Sequence, residues 1–173
     1  MTSSWRRNLA YGVAWQLAWF AAVVPAGRGL PWVGLLAALP VVLIGGWGRW
    51  PRAWWVMAVS LAIGVAVDAL LGLSGAANFP GGALDGRLSP PWMWLLWVQL
   101  GLALDLCLAW LRRRLWLAVL FGVAGAPGAY LGGVAFGAML APHGPLILGC
   151  AVGLAYGFAL PLLMKLTPCS NNS

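Results

Sequence analysis

The sequence predicts an all-α integral membrane protein, a bundle of six transmembrane helices with both termini in the cytoplasm. Of its 173 residues, 62% are apolar and only 8% are charged, against roughly a quarter in soluble proteins. So few charges cannot cover a soluble surface, and so apolar a chain cannot remain disordered. Charges and Gly/Pro clusters also divide the chain into six apolar segments of membrane-spanning length.

The six segments form one domain over residues 1–173. Each has about 17 to 25 residues, enough to cross a ~30 Å hydrocarbon core at 1.5 Å per residue. Barrel strands would be about 10 residues of alternating polarity, which these segments are not. The six predicted helices cover residues 8–24, 31–47, 53–73, 92–111, 115–139 and 145–166. The outer loop covers residues 74–91, and a short C-terminal tail covers residues 167–173.

Basic residues set the predicted orientation. The first segment follows Arg6 and Arg7 and is longer than the core of a signal peptide, so we interpret it as a retained helix. Arg28 and Arg87 then fall outside, and the positive-inside rule assigns the other basic residues to the cytoplasm. We therefore interpret the net charge of +7 as a topology signal and expect no nucleic-acid partner. The inner basic residues are Arg6, Arg7, Arg49, Arg52, Arg112, Arg113, Arg114 and Lys165.

Most tryptophans lie near segment ends, as in the aromatic belts of membrane proteins. Trp15, Trp19 and Trp97 lie deeper and are harder to explain as anchors. The loop 74–91 is either a flexible connector or a lid over an outward-facing pocket.

The composition offers little for catalysis or metal binding. There is one histidine, His143, and no glutamate. Cys107, Cys150 and Cys169 have no CxxC spacing, and the first two fit buried apolar positions. We predict no catalytic residue, metal or cofactor.

Small residues repeat every four positions on several helices, a pattern typical of close helix packing. Gly125, Ala129 and Gly133 form such a stripe on the fifth segment. The first helix carries Ala10, Ala14 and Ala18, which form either a packing face or a docking face for a partner membrane protein or a second copy.

Two carboxylates fall inside predicted spans, where charges are rare and usually functional. Asp68 has no basic residue in a span to pair with, so it is protonated, bonded to neutral donors, or facing a cationic or hydroxyl-bearing ligand. We predict a ligand site from Asp68 together with Gln99, Tyr130 and Asn78.

Asp105 lies near the inner end of the fourth segment. Its predicted neighbours are Gln16, Ser60 and a snorkelling Arg112. The basic run Arg112, Arg113 and Arg114 is the predicted contact for anionic lipids.

The fifth segment contains Pro127 and four glycines between Gly125 and Gly133. This composition weakens a helix, so we expect a kink or an unwound turn, with Tyr130 near Asp68.

The chain resembles a bacterial inner-membrane family, the domain-of-unknown-function family DUF2878. The resemblance implies a small multi-pass inner-membrane protein. It implies no established activity and only a loose association of the family with lipid-modifying enzymes. Relatives tend to have Asn-His-Ser in the fourth helix, where this chain has Asp105, Leu106 and Cys107. The resemblance rests on residues 16–20, 27–31, 68–71, 91–97, 108–111 and 125–130.

A weaker likeness is to substrate-binding components of energy-coupling vitamin transporters. Those proteins also have six helices, an Ala-x-x-x-Ala docking face and, in some, a Gly-rich turn before Tyr-Leu. The matching features here are the Ala10, Ala14 and Ala18 stripe and residues 125–131.

Three functions stay open from the sequence. The first is binding or transport of a small molecule or lipid through an outward-facing polar pocket. The second is an accessory factor or enzyme in lipid modification, and the third is an assembly partner for other membrane proteins.

Overall fold

In the computed structural model, residues 2–167 are described, with side chains from Trp5 onward. Cys169 and the rest of the predicted tail after Thr167 lie outside the described residues. The helical class is confirmed: within this range the structure is helices and turns, with one isolated β-bridge. The six long helices are α1 (Thr2–Ala26), α2 (Pro31–Gly46), α3 (Trp50–Leu73), α4 (Pro91–Asp105), α5 (Leu115–Ala135) and α6 (Pro145–Leu166).

Four of these helices, α1, α3, α5 and α6, are long and apolar enough to cross a membrane. This is what a multi-pass membrane protein requires. The other two, α2 and α4, have 16 and 15 residues, which corresponds to about 24 and 22 Å of rise.

Two predicted helices end earlier than expected. Helix α4 ends at Asp105 rather than at residue 111, and a 3₁₀ turn, Ala109–Arg113, follows. Helix α5 ends at Ala135 rather than at 139, because Gly137 adopts a left-handed φ of 77°. The Gly137 N–H donates to the Val134 carbonyl, and the Ala138 N–H donates to the Gly133 carbonyl. This is the Schellman arrangement that terminates helices.

Small residues let several helix pairs pack closely. Gly34 of α2 lies against Ala22 of α1, and Gly122 of α5 lies against the Tyr156 backbone of α6. Gly101 of α4 lies against the Ser60 side chain of α3. At these three contacts a small residue lies directly against the neighbouring helix.

The connection between α3 and α4 is folded into the bundle. Phe79 is fully buried, together with Ala76 and Ala77. The backbone of Asn78 exchanges two hydrogen bonds with Leu140, at 2.8 and 2.9 Å. The segment therefore closes one end of the bundle as a packed plug, and the structure supports neither a flexible connector nor a lid over a pocket.

Candidate ligand cavity and polar clusters

A cavity of about 610 Å³ lies between α1 and α5, with α4 and α6 contributing the remaining wall. It extends along α5 from Phe121 to Phe136, about 22 Å at 1.5 Å per residue. Its lining is aromatic and aliphatic, and Gln16 is its one side-chain amide. It thus differs from the predicted pocket, since it is mainly apolar and no residue of the loop 74–91 lines it.

A face of small residues on α5 gives the cavity much of its space. Gly125, Gly128, Ala129 and Gly132 all line it, at helical positions i, i+3, i+4 and i+7. A Cβ added at Gly128 would meet nothing within 4 Å. Gly125 and Ala129 of the stripe predicted to pack against another helix therefore border the cavity, while Gly133 is buried against the Met139 side chain.

The expected unwound turn around Pro127 is absent from α5, which runs as one helix from Leu115 to Ala135. Pro127 sits beside α6, where a Cβ at Gly153 would lie 3.5 Å from its ring. The proline ring thus packs in ordinary van der Waals contact with α6. Of the two expected outcomes, a kink or an unwound turn, the unwound turn was wrong, and the proline lies within a continuous helix.

Aromatic side chains form most of the wall. Trp15, Trp19 and Trp97, which the sequence did not explain as interfacial anchors, all line the cavity. Phe20 of α1 lies edge-to-face with Phe136, with ring centroids 6.2 Å apart. The remaining aromatic lining residues are Trp92, Phe121, Tyr130 and Tyr156.

Asp68 lies fully buried behind this aromatic wall. The Tyr130 hydroxyl donates to its Oδ1 at 2.5 Å, and the Trp97 indole N–H donates to its Oδ2 at 3.2 Å. The Tyr156 hydroxyl then donates to the Tyr130 hydroxyl at 3.2 Å. The predicted proximity of Tyr130 to Asp68 is confirmed, and Trp97 and Tyr156 join them.

The aromatic members of this cluster also stack on each other. The rings of Trp97 and Tyr156 lie 4.7 Å apart with an interplanar angle of 24°. Tyr130 meets Tyr156 edge-on, with centroids 5.6 Å apart. Asp68 itself does not line the cavity, whereas all three rings do. The Asp68 carboxylate is therefore separated from the cavity by these rings, two of which it binds directly.

The other two predicted ligand residues lie elsewhere. Gln99 is buried, makes no side-chain hydrogen bond within the described chain and does not line the cavity. The Asn78 side chain donates to the Asp85 carbonyl at 2.9 Å. Asn78 therefore organises the plug segment.

Asp105 forms the ion-pair cluster of the described chain. Arg52 binds it through two nitrogens, at 2.5 and 3.1 Å, and Arg49 at 3.0 Å. Arg112 completes the set at 3.5 Å. The sequence placed all three arginines on one side of the membrane but singled out Arg112 alone, because it is close in sequence and the other two come from the start of α3.

Arg112 also ties the end of α6 to the cluster. It donates to the Met164 carbonyl at 2.6 Å and contacts the Thr167 carbonyl and hydroxyl. A cation is favourable there because carbonyls at a helix C-terminus lack backbone partners. Arg113 and Arg114 are exposed.

The two other predicted neighbours of Asp105 make different contacts. The Ser60 hydroxyl donates to the Trp97 carbonyl at 2.7 Å, and Gln16 lines the cavity. Neither Ser60 nor Gln16 therefore forms a hydrogen bond with Asp105.

The alanine stripe of α1 is divided between two environments. Ala18 is buried within the bundle, while Ala10 is exposed and Ala14 is half-buried. Among the described residues, no three His, Cys, Asp or Glu side chains come together as a metal site would need.

The model of a family described as "Protein of unknown function (DUF2878)" matches residues 8–162. A stretch of 51 residues is 41% identical to the ABC transporter C family member 13 of rice, in both the indica and the japonica subspecies. That match covers 28% of this chain and only 3% of the rice protein. No solved structure matches the chain, so the likeness to vitamin-transporter components has no support.

Proposed function

The chain belongs to the DUF2878 family of proteins of unknown function, and we propose that it is a bacterial inner-membrane protein that binds an elongated, mainly apolar small molecule or lipid between α1 and α5. The observation that carries this proposal is the long cavity beside the small-residue face of α5. Its volume lies in the range of small-molecule sites, roughly 300–1,000 Å³.

All six long helices span the membrane in this proposal. The two shorter helices, α2 and α4, can span the hydrocarbon core if the bilayer is locally thinned or if polar side chains at their ends reach the interface. The Asp105 cluster supplies such side chains at the end of α4. Its three arginines face the cytoplasm by the positive-inside rule, which puts the plug segment outside.

A ligand can reach the cavity from the bilayer because several residues that border the cavity are exposed on the surface of the bundle. Phe20 and Phe121 are exposed by 44% and 47%, and Gly128 is also exposed. Near the plug end, a side chain at Gly27 would collide with the Phe136 carbonyl, so α1 and the end of α5 meet there. A ligand therefore enters sideways, between the helices, rather than through the plug.

Cavity filling tests this proposal. Gly128→Leu adds a side chain at a position that lines the cavity and where a Cβ would meet no atom of a neighbouring element within 4 Å. The probe is an alkyl diazirine with a sixteen-carbon chain, added to membranes that contain the protein. We expect photolabelling of α1 and α5 residues that line the cavity, and loss of most of it in Gly128→Leu.

Ala124→Leu is the matched control, because Ala124 is exposed on the same helix and does not line the cavity. It should label like the wild type. Equal labelling of all three proteins, or labelling confined to the outer bundle surface, would refute binding in this cavity.

A further inference from the structure

We propose that the cavity recognises an organic cation, an alkylammonium group on an apolar chain, through the rings of Tyr130 and Tyr156 with Asp68 behind them. This inference rests on the proposed function and adds the chemistry of the ligand's polar end. The juxtaposition that supports it is a buried carboxylate bonded to aromatic rings that themselves line an open cavity.

The charge arrangement makes a cation the complementary ligand. The ion pairs within the described chain all go to Asp105, and none goes to Asp68. Asp68 instead accepts hydrogen bonds from Tyr130 and Trp97. An ionised carboxylate in an apolar setting attracts positive charge strongly, because the low dielectric does little to screen it. The site is thus suited to a positive group on the cavity side of these rings.

Aromatic rings are also the surfaces that bind such a group. Quaternary ammonium ions bind over tryptophan and tyrosine rings through the negative face of the π system. Here Tyr130 donates its hydrogen to Asp68, which places more electron density on the Tyr130 ring and strengthens that attraction. Trp15, Trp19 and Trp92 line the same cavity and extend the aromatic surface.

The hydrogen-bond order leaves one further group available to a ligand. The chain runs from the Tyr156 hydroxyl to the Tyr130 hydroxyl and then to Asp68. The Tyr156 oxygen donates its hydrogen within this chain and retains acceptor capacity. A primary or secondary ammonium could therefore donate to Tyr156 while its charge rests against the rings.

Two matched probes isolate the charge. One is decyltrimethylammonium, and the other is its uncharged analogue in which carbon replaces nitrogen. Binding is measured by isothermal titration calorimetry to the full chain in dodecyl maltoside, without phospholipid, because many phospholipid headgroups carry an ammonium. We expect the cation to bind at least about tenfold more tightly than its analogue, the usual size of a desolvated cation–π effect.

Asp68→Asn should abolish that tenfold preference, measured as the ratio of the two dissociation constants in the same variant. Asp85→Asn is the control, since Asp85 is an exposed carboxylate in the plug segment and should bind both probes like the wild type. If Asp68→Asn does not fold, the wild-type preference for the cation and its loss in Gly128→Leu carry the test.

Equal binding of both probes to the wild type would overturn the cation proposal while leaving the proposed function intact. Decanol, titrated under the same conditions as a third probe, would overturn the cation proposal in favour of a hydroxyl ligand if it bound more tightly than the cation. Binding of no probe, together with no diazirine labelling of the cavity, would refute both proposals.

Discussion

At the scale of single residues, the position of the Trp97 ring depends on a missing side chain. A Cβ at Gly64 would overlap the Trp97 indole. The ring has little freedom to move, because it stacks on Tyr156 and donates its N–H to Asp68. Gly64 therefore holds open the place in which the ring, the carboxylate and the cavity wall come together.

Gly64→Ala should accordingly lower stability by roughly 1–3 kcal/mol, the usual cost of overpacking a filled core. Gly128→Ala is the matched substitution in open space, and it should leave stability unchanged or raise it by up to about 1 kcal/mol, since alanine favours helix over glycine. Reversible unfolding in mixed micelles would measure both. A neutral Gly64→Ala would show that the Trp97 ring can shift freely.

The sequence identified Asp68 as an unusual residue and Tyr130 as its neighbour, because helical spacing and depth can be counted along each segment. It did not identify Trp97 or Tyr156 as members of the cluster. Tryptophan and tyrosine are common in membrane helices for other reasons, so their residue type carries no signal. Only the packing of α3, α4, α5 and α6 brings these rings to one carboxylate.

At the scale of elements, one side chain connects the ends of three helices. Asp105 at the end of α4 binds Arg49 and Arg52 at the start of α3. It also contacts Arg112, which holds the last carbonyls of α6. The Asp105 side chain is only 2% exposed, while those of Arg49 and Arg52 are about a quarter exposed. The cluster therefore fixes where these helices end relative to one another.

Asp105→Asn should destabilise the protein more than any exposed acid would. Loss of one partner from a buried ion pair costs roughly 3–5 kcal/mol, reduced here because the two partly exposed arginines can turn toward water. Thermal unfolding in detergent, compared with Asp85→Asn, would measure the effect. A midpoint equal to that of Asp85→Asn would mean that the arginines hold these helix ends without the carboxylate.

At the scale of the whole molecule, the two ends of the bundle differ in chemistry. One end holds the Asp105 cluster and the exposed residues Arg113 and Arg114. The opposite end is closed by the plug segment, with Phe79 buried and Asp85 exposed. This asymmetry is what the proposed orientation uses, with the arginines inside.

Cysteine labelling tests that orientation directly. In a background with Cys107, Cys150 and Cys169 replaced by serine, we expect Asp85→Cys to react with a membrane-impermeant maleimide in spheroplasts. Arg113→Cys should react only after the membrane is permeabilised. The reverse pattern would invert the topology, and reaction of both sites in intact spheroplasts would contradict an odd number of spans between them.

The sequence by itself determined the class of this protein, the approximate helices and the residues that need an explanation. Composition and the spacing of charges suffice for this, because the hydrocarbon core imposes both length and polarity on each segment. The tertiary structure decided which side chains meet. It showed the small-residue face of α5 as the border of a cavity, placed Asp68 behind aromatic rings and paired Asp105 with Arg49 and Arg52 where α3 begins. Such contacts depend on how each helix is rotated and which neighbour it faces, and the uniformly apolar segments of a membrane protein carry little record of either.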